Sequence, residues 1–266
     1  MRRPIALVRR PSSRLAEGIV THIERRSVDV ELAFRQWQAY VDTLVAAGWD
    51  IVEVPPVDDC PDSAFVEDTM VVFRDVAVIA APGAEARRGE IVAAEAAITA
   101  LGYRIDRIRP PGTLDGGDVL KVGDTVYVGR GGRTNTDGIH QLRAILEPLG
   151  AQVVAVPLTK ALHLKSAVTA LPDGTVIGWE PIVDEPSLFP RFLAAPEESG
   201  AHVVLLGEQR LLMSSSCPTS AARYRELGYE PVVVDISEYE KLEGCVTCLS
   251  VRLRGQVITG HIAAHV

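Results

Sequence analysis

Five times along the chain a segment with a helical apolar stripe runs into a glycine and then into a short β-branched run. The junctions are Ala47-Gly48-Trp49 before Asp-Ile-Val-Glu-Val, Leu101-Gly102-Tyr103 before Arg-Ile-Asp-Arg-Ile, Leu149-Gly150-Ala151 before Gln-Val-Val-Ala-Val, Ser199-Gly200-Ala201 before His-Val-Val-Leu-Leu, and Leu227-Gly228-Tyr229 before Glu-Pro-Val-Val-Val. Glycine just past a helix end relieves the left-handed backbone on which helices terminate. The first four glycines are spaced by roughly 50 residues and the last by about 28, a period in the range of repeat architectures. A chain with this punctuation is built from similar helix-then-strand units.

Each helix is preceded by two short strands around a turn. Segments 69–73 and 76–80 flank Arg74-Asp75, 119–122 and 125–128 flank Gly123-Asp124, and 167–171 and 175–178 flank Asp173-Gly174; the Gly-Asp and Asp-Gly turns are hairpin signals. In 28–47 the apolar positions Phe34, Trp37, Val41 and Leu44 step by three and four, with Ser27 as the expected N-cap; Ile91, Ala94, Ile98 and Leu101 repeat the spacing. The fourth unit's helix is expected over 187–198, despite Pro190 and Pro196. The fifth unit lacks a hairpin unless the chain ends combine. A carboxy-terminal hairpin, 249–253 and 256–259, would then serve the helix 28–47 and the strand 50–54. That arrangement closes a ring: one α/β domain over residues 1–266, a propeller of five ββαβ units with helices outside and short strands at the centre. An open α/β sandwich is the alternative.

Composition limits the partners. The chain has 266 residues, a formal net charge of -8 and 47% hydrophobic residues, enough for a substantial core. No stretch approaches the ~20 apolar residues of a membrane span, and the apolar run after Met1 is too short for a signal peptide; a cytoplasmic location is the default. The arginine pairs Arg9-Arg10, Arg25-Arg26 and Arg87-Arg88 are scattered, which argues against a nucleic-acid partner, whereas an acidic chain suits cationic small molecules. The four cysteines, Cys60, Cys217, Cys245 and Cys248, are too few for a disulfide framework.

Placed on the repeats, the unusual polar residues fall at equivalent positions. Glu67-Asp68 precedes the first strand of one unit, Asp115-Gly-Gly-Asp118 the next, His163-Leu-Lys165 a third, and Cys248 opens the last hairpin. Equivalent positions in a cyclic array converge on one end of the axis, so acids, a histidine and a cysteine would meet there. Taken singly, each has a plain structural reading as turn former, core histidine or buried thiol. Together they suit nucleophilic chemistry: a free thiol is mostly protonated at neutral pH and needs a neighbouring base or cation, and His163 would serve as acid and then base. Carboxylates beside a thiolate oppose its ionisation, so they make sense around a cationic substrate, and a guanidinium fits their geometry.

Pro61-Asp-Ser-Ala-Phe-Val-Glu67-Asp68, Gly112-Thr-Leu-Asp115-Gly-Gly-Asp118, Arg133-Thr-Asn, Leu162-His163-Leu-Lys-Ser and Val246-Thr-Cys248-Leu-Ser resemble, in order and spacing, the dimethylarginine dimethylaminohydrolases of the guanidino-group-modifying (pentein) superfamily. The likeness runs from Val8-Arg9 to Cys248, and the superfamily's fold is the five-bladed α/β propeller. The resemblance implies that Cys248 attacks the guanidinium carbon of an Nω-methylated arginine, His163 protonates the departing amine, and water then releases citrulline from a covalent thiouronium. Asp115 would orient His163, where some members have Glu. Asp68 with Glu67 would grip the guanidinium, Arg87 and Arg133 the substrate carboxylate, and Asp62 its amino group, helped by the backbone carbonyls of Ile19 and Leu242. Segment 11–18 resembles a lid. Cys245 departs from the family pattern and would either stand aside or form a disulfide with Cys248 on oxidation. No metal or cofactor is expected in turnover; zinc would enter as an inhibitor at Cys248 and His163, both soft enough ligands. A homodimer is left open. The rivals are an arginine deiminase, a non-catalytic propeller such as a ribosome-associated factor, and a C-x-x-C redox or metal protein.

Overall fold

A computed structural model describes residues 3–254. The helix Val30–Ala46 shows how the sequence builds each unit. Asp29, extended, caps it by accepting the Leu32 amide at 2.9 Å, so the cap lies two residues beyond Ser27, whose expected role it takes. The buried face is Ala33, Gln36, Trp37, Tyr40, Val41 and Leu44, turned slightly from the expected stripe, so that Phe34 is half-buried. The helix reaches the far end of the chain through two hydroxyls. Tyr40 Oη donates to the Val246 carbonyl at 3.0 Å, and Tyr239 Oη donates to the Ala33 carbonyl at 2.9 Å.

Among the described residues there are five three-stranded sheets, each with one antiparallel and one parallel pairing. Met70–Phe73 pairs antiparallel with Val76–Ile79, which runs parallel to Arg104–Arg107. Val119–Val122, Thr125–Arg130 and Gln152–Pro157 repeat the order, as do Val168–Ala170, Val176–Gly178 and Phe192–Ala194, and Val204–Leu205, Arg210–Ser214 and Glu230–Val234. In the fifth sheet Ile5–Val8 lies between Val251–Leu253 (antiparallel) and Asp50–Glu53 (parallel). Helices Ile91–Ala100, Thr136–Leu146 and Pro218–Glu226 link the parallel strands in three of the units.

Three expectations change. The partner of Val251–Leu253 is Ile5–Val8, since the apolar start of the chain supplies a central strand; the expected strand 256–259 lies outside the described residues. The unit before Gly228 has its own hairpin, Val204–Leu205 with Arg210–Ser214. No α-helix forms over 187–198. Turns at Pro186–Leu188 and Glu198–Ala201 flank the strand Phe192–Ala194 instead, as expected where Pro190 and Pro196 lack the amide and crowd a helical backbone. Gly48, Gly102, Gly150 and Gly228 do sit at φ of 88°, 85°, 87° and 89°, the helix-ending geometry that favours glycine. Gly200 does not share it; a Cβ there would run into Ser220.

The core divides into clusters between successive sheets. Leu7, Val54 and Val251 pack on Val72, Ala77 and Ile98; Val71 and Val78 on Val126 and Leu142; Tyr127 and Val156 on Val168 and Val176; Ile177 on Leu211, Met213 and Tyr224; and Leu212 and Val234 on Trp37, Tyr40 and Val8. Every sheet is thus cemented on two sides by aliphatic side chains. No described helix is long and apolar enough to cross a membrane. Replacing Asp29 by Ala is expected to lower stability by ~1 kcal/mol through the lost cap, while Ser27→Ala leaves the denaturation midpoint unchanged; equal effects would contradict this N-terminus.

Candidate active site

Loops that enter the first strands of the sheets carry the chemistry. The turn from Cys245 to Leu249 is tied to the neighbouring unit by the Glu67 amide, which donates to the Cys248 carbonyl at 3.1 Å. Gly-Gly between Asp115 and Asp118 has a steric cause: a Cβ on Gly117 would stand 2.5 Å from Asp68 Oδ1 and 2.8 Å from His163 Nδ1. His163, extended, leads into the short helix Leu164–Ala167, whose first amide, Leu164 N, donates to Asp118 Oδ1 at 3.0 Å.

Ile19, Asp62, Phe65, Asp68, Arg87, Arg133, His163, Leu242 and Cys248 line one small cavity, joined by Leu162, Glu243 and Gly244. Asp115 stands behind it, with Oδ2 3.0 Å from His163 Nε2 and Oδ1 accepting the Gly83 amide at 2.9 Å; the aspartate arm reaches the ring. Asp68 Oδ1 lies 3.9 Å from His163 Nδ1 and accepts the Gly117 amide at 2.8 Å. Its Oδ2 takes a 2.6 Å bond from Arg87 Nη1. Glu67 is not brought to this cavity. It turns to the other side of its loop, where Lys165 Nζ lies 2.7 Å from Oε1 and Arg252 Nη2 bonds the same oxygen.

The electrostatics centre on a buried charged set. Burial disfavours the His163 cation, but Asp68, the Asp115 hydrogen bond and Asp118 outweigh it and raise the pKa to about 9. Burial likewise opposes ionisation of Asp68, yet His163 and Arg87 overcome it and hold the carboxyl down at about 2. Asp118, bonded by Thr134 Oγ1 at 2.6 Å, is raised by burial to about 6 in spite of His163. The Cys248 thiol is pushed well up by its hydrogen bond with Cys245, by burial and by the charges of Glu67 and Asp68. The two sulfurs are 3.4 Å apart, and Cys245 Sγ also lies 3.2 Å from Thr247 Oγ1. At neutral pH the set is therefore an imidazolium beside a thiol.

Arg87 is already engaged: besides Asp68 it holds Glu90 through Nε at 2.9 Å and Nη2 at 2.8 Å. Arg133 is less committed. Its Nη1 is buried without a hydrogen-bond partner among the described residues, 3.7 Å from Asp115 Oδ2. Asp62 accepts the Ile19 amide at 3.2 and 3.0 Å, and burial raises its pKa despite Arg87. Asp68, Asp115 and His163 place one ligand atom each within 4.8 Å of one another, a spacing that would suit a cation, but Arg87 and the imidazolium already neutralise them. Sequence reasoning passed over Glu90, which has no motif around it, Thr134, which entered only as the neighbour of Arg133, and Arg252, which in its strand reads as an ordinary outward-facing residue.

Residues 42–212 match the family model described as arginine deiminase, which sets the class. An N(G),N(G)-dimethylarginine dimethylaminohydrolase of Streptomyces coelicolor is 68% identical over 94% of this chain and 96% of its own; the enzyme of that name from Pseudomonas aeruginosa is 35% identical over 92% and 98%. The structure of that Pseudomonas protein, a cysteine-to-serine variant complexed with citrulline, superposes with a TM-score of 0.89 at 33% identity, covering 95% of this chain and all of the other. The N-terminal domain of ArgZ, a cyanobacterial arginine dihydrolase, shares the fold with a TM-score of 0.85 at 20% identity, over 97% of this chain and 100% of that one. The chain belongs to the dimethylarginine dimethylaminohydrolase family.

Two measurements test the charged set. The His163 ring, followed by NMR, is expected to titrate at about 9; a midpoint near the ordinary 6.5 would overturn the assignment. Because the folded pKa is raised, the stabilisation it brings is complete below the unfolded value and is lost as pH rises through about 9. Glu90→Gln strips Arg87 of a buried partner and is expected to cost ~3–5 kcal/mol in a denaturant melt.

Proposed function

We propose that this protein hydrolyses Nω-methylated arginines, asymmetric dimethylarginine and monomethylarginine, to citrulline and dimethylamine or methylamine. The observation that carries the reading is the single cavity holding a thiol, an imidazolium and an ionised carboxylate, Cys248, His163 and Asp68, in a chain so similar to relatives bearing that name. Asp68 holds the guanidinium and Arg133 Nη1, lacking a partner, takes the substrate carboxylate together with Arg87. Asp62 and the carbonyls of Ile19 and Leu242 hold the substrate ammonium. Glu67 acts only behind this wall.

The charges explain the order of events. Without substrate Cys248 stays a thiol, because it is hydrogen-bonded to Cys245, buried, and flanked by the charges of Glu67 and Asp68. A bound guanidinium reverses that local field, lowers the thiol pKa so that the S–H proton is lost to solvent as substrate binds, and presents its central carbon to the sulfur. The S–C bond forms and the C–N bond to the alkylamine breaks, with His163 supplying the leaving group's proton. Neutral His163 then takes a proton from water, whose oxygen attacks the thiouronium carbon, and the sulfur leaves as citrulline forms. Asp115 orients the ring throughout. The cavity is only about 20 Å³, room for about one water, so substrate entry requires the cover to move. Segment 11–18, with Leu15 buried and Ser12 Oγ bonded to the Asp58 carbonyl at 3.1 Å, leads into the cavity residue Ile19 and serves as that cover.

The five three-stranded units, four of them with an α-helix before the last strand, form one closed five-bladed ring, a single catalytic domain. The five interlocking core clusters support that reading, since they join each sheet to two others. An arginine deiminase activity is the second reading, favoured by the matched family model.

Incubation with asymmetric dimethylarginine beside arginine separates the two. Dimethylamine and citrulline from the first, with little ammonia from arginine, is the expected result; ammonia from arginine would move the protein to the deiminases. Cys248→Ser is expected to abolish turnover and Cys245→Ser to reduce it mildly; equal loss would favour a working thiol pair. Turnover is expected to persist in chelator, and its loss would overturn the metal-free mechanism.

A further inference from the structure

Behind the catalytic wall lies a second, larger cavity of about 230 Å³, open toward solvent beside Lys121. The two share their partition. Asp68, His163 and Cys248 face the catalytic side, and Glu67, Lys165 and Thr247, one or two residues away on the same three loops, face the other. The second cavity concentrates positive charge. Lys121, Lys165, Arg252 and Arg254 line it against the single carboxylate of Glu67, a local excess of three cations (four less one) in a chain of net charge -8.

Charge alone would attract any anion, but the donors and acceptors are more particular. Glu67 Oε1 takes both Lys165 and Arg252. Its Oε2 is buried and has no hydrogen-bond partner among the described residues, an arrangement that costs free energy unless a donor arrives. Lys121 Nζ donates to the Val72 carbonyl at 2.5 Å and Arg254 Nη2 to the Leu205 carbonyl at 2.6 Å, so each cation keeps further N–H groups for an incoming acceptor. Although Lys121 retains exposed surface, the protein packed around its ammonium and the neighbouring Lys165, Arg252 and Arg254 lower its pKa, a strain that an anion would relieve. The complementary ligand is both an anion and a hydroxyl donor.

We propose that this cavity is a binding site for a small protonated oxyanion of the hydrogenphosphate class, whose P–OH donates to Glu67 Oε2 while its remaining oxygens accept from Lys121, Lys165 and Arg252. Sulfate has the same shape and, at neutral pH, no proton to give, so it meets the free carboxylate oxygen with repulsion.

Calorimetric titration of the full chain with inorganic phosphate, and separately with sulfate at matched ionic strength, tests the site without reference to turnover. Saturable phosphate binding at one site, with sulfate about tenfold weaker or more, is expected, that factor being one well-placed hydrogen bond's worth of affinity. Lys121→Met should weaken phosphate binding by a similar factor, and Lys121→Arg should restore it. Lys121 lies outside the catalytic set, so circular dichroism and turnover of both variants should match the parent protein. Equal affinity for phosphate and sulfate, or no saturable binding, would overturn the proposal. Undiminished binding in Lys121→Met would do so too, placing the anion instead at Arg87 and Arg133.

Discussion

The site depends on charges that are buried before they are useful. Arg87 lies between Asp68 and Glu90 with almost no solvent contact, and Arg9, equally buried, donates to the Glu90 carbonyl at 2.9 Å and the Ser63 carbonyl at 3.3 Å. An isolated ion at such depth would be prohibitive, so each member exists because the others do. The network fixes the loop from Pro61 to Thr69 against the start of the helix Ile91–Ala100. It leaves Asp68 ionised, with one oxygen held by Arg87 and the other shared between an amide and the histidine. The carboxylate is thus charged before any ligand arrives.

Much of this was legible in the chain because it rests on local rules. A glycine after a helical apolar stripe supplies the positive φ on which a helix ends, and Gly48, Gly102, Gly150 and Gly228 followed that rule. Loops that precede buried strands carried the polar residues Asp68, Asp115, His163 and Cys248, and four separate strand entries brought them together. What could not be read was settled by distant partners. Asp29 rather than Ser27 caps its helix because the incoming chain is anchored there: the Asp29 amide donates to Glu238 at 2.8 Å, more than two hundred residues along the chain. Ile5–Val8 was too short an apolar run to be assigned to any unit, and only its pairing with Val251–Leu253 and Asp50–Glu53 makes it a central strand.

Glu67 is the most instructive divergence. Adjacent residues on an irregular loop point in opposite directions, and proximity in sequence to Asp68 placed both in the same role. The deciding facts are the cations that wait on each side: Arg87 for Asp68, Lys165 and Arg252 for Glu67. Neither Glu90 nor Arg252 carries a local signal, because a buried ion pair is a property of two positions and one sequence position shows only half of it. The same loops thereby become a two-faced wall, with a cationic substrate expected on one side and cations exposed on the other.

The position of Ile5–Val8 also bears on how the molecule is made. Its two neighbours come from residues 50–53 and 251–253, so this strand must wait for residues 251–253 to be made before its antiparallel edge is satisfied. Nascent chains fold domain by domain as they emerge, and unpaired strand edges are exposed to aggregation meanwhile. Cys248 sits on the final loop before that late strand. A ribosome that stalls before Cys248 would thus release a chain that lacks both the antiparallel partner of Ile5–Val8 and the thiol of the small cavity.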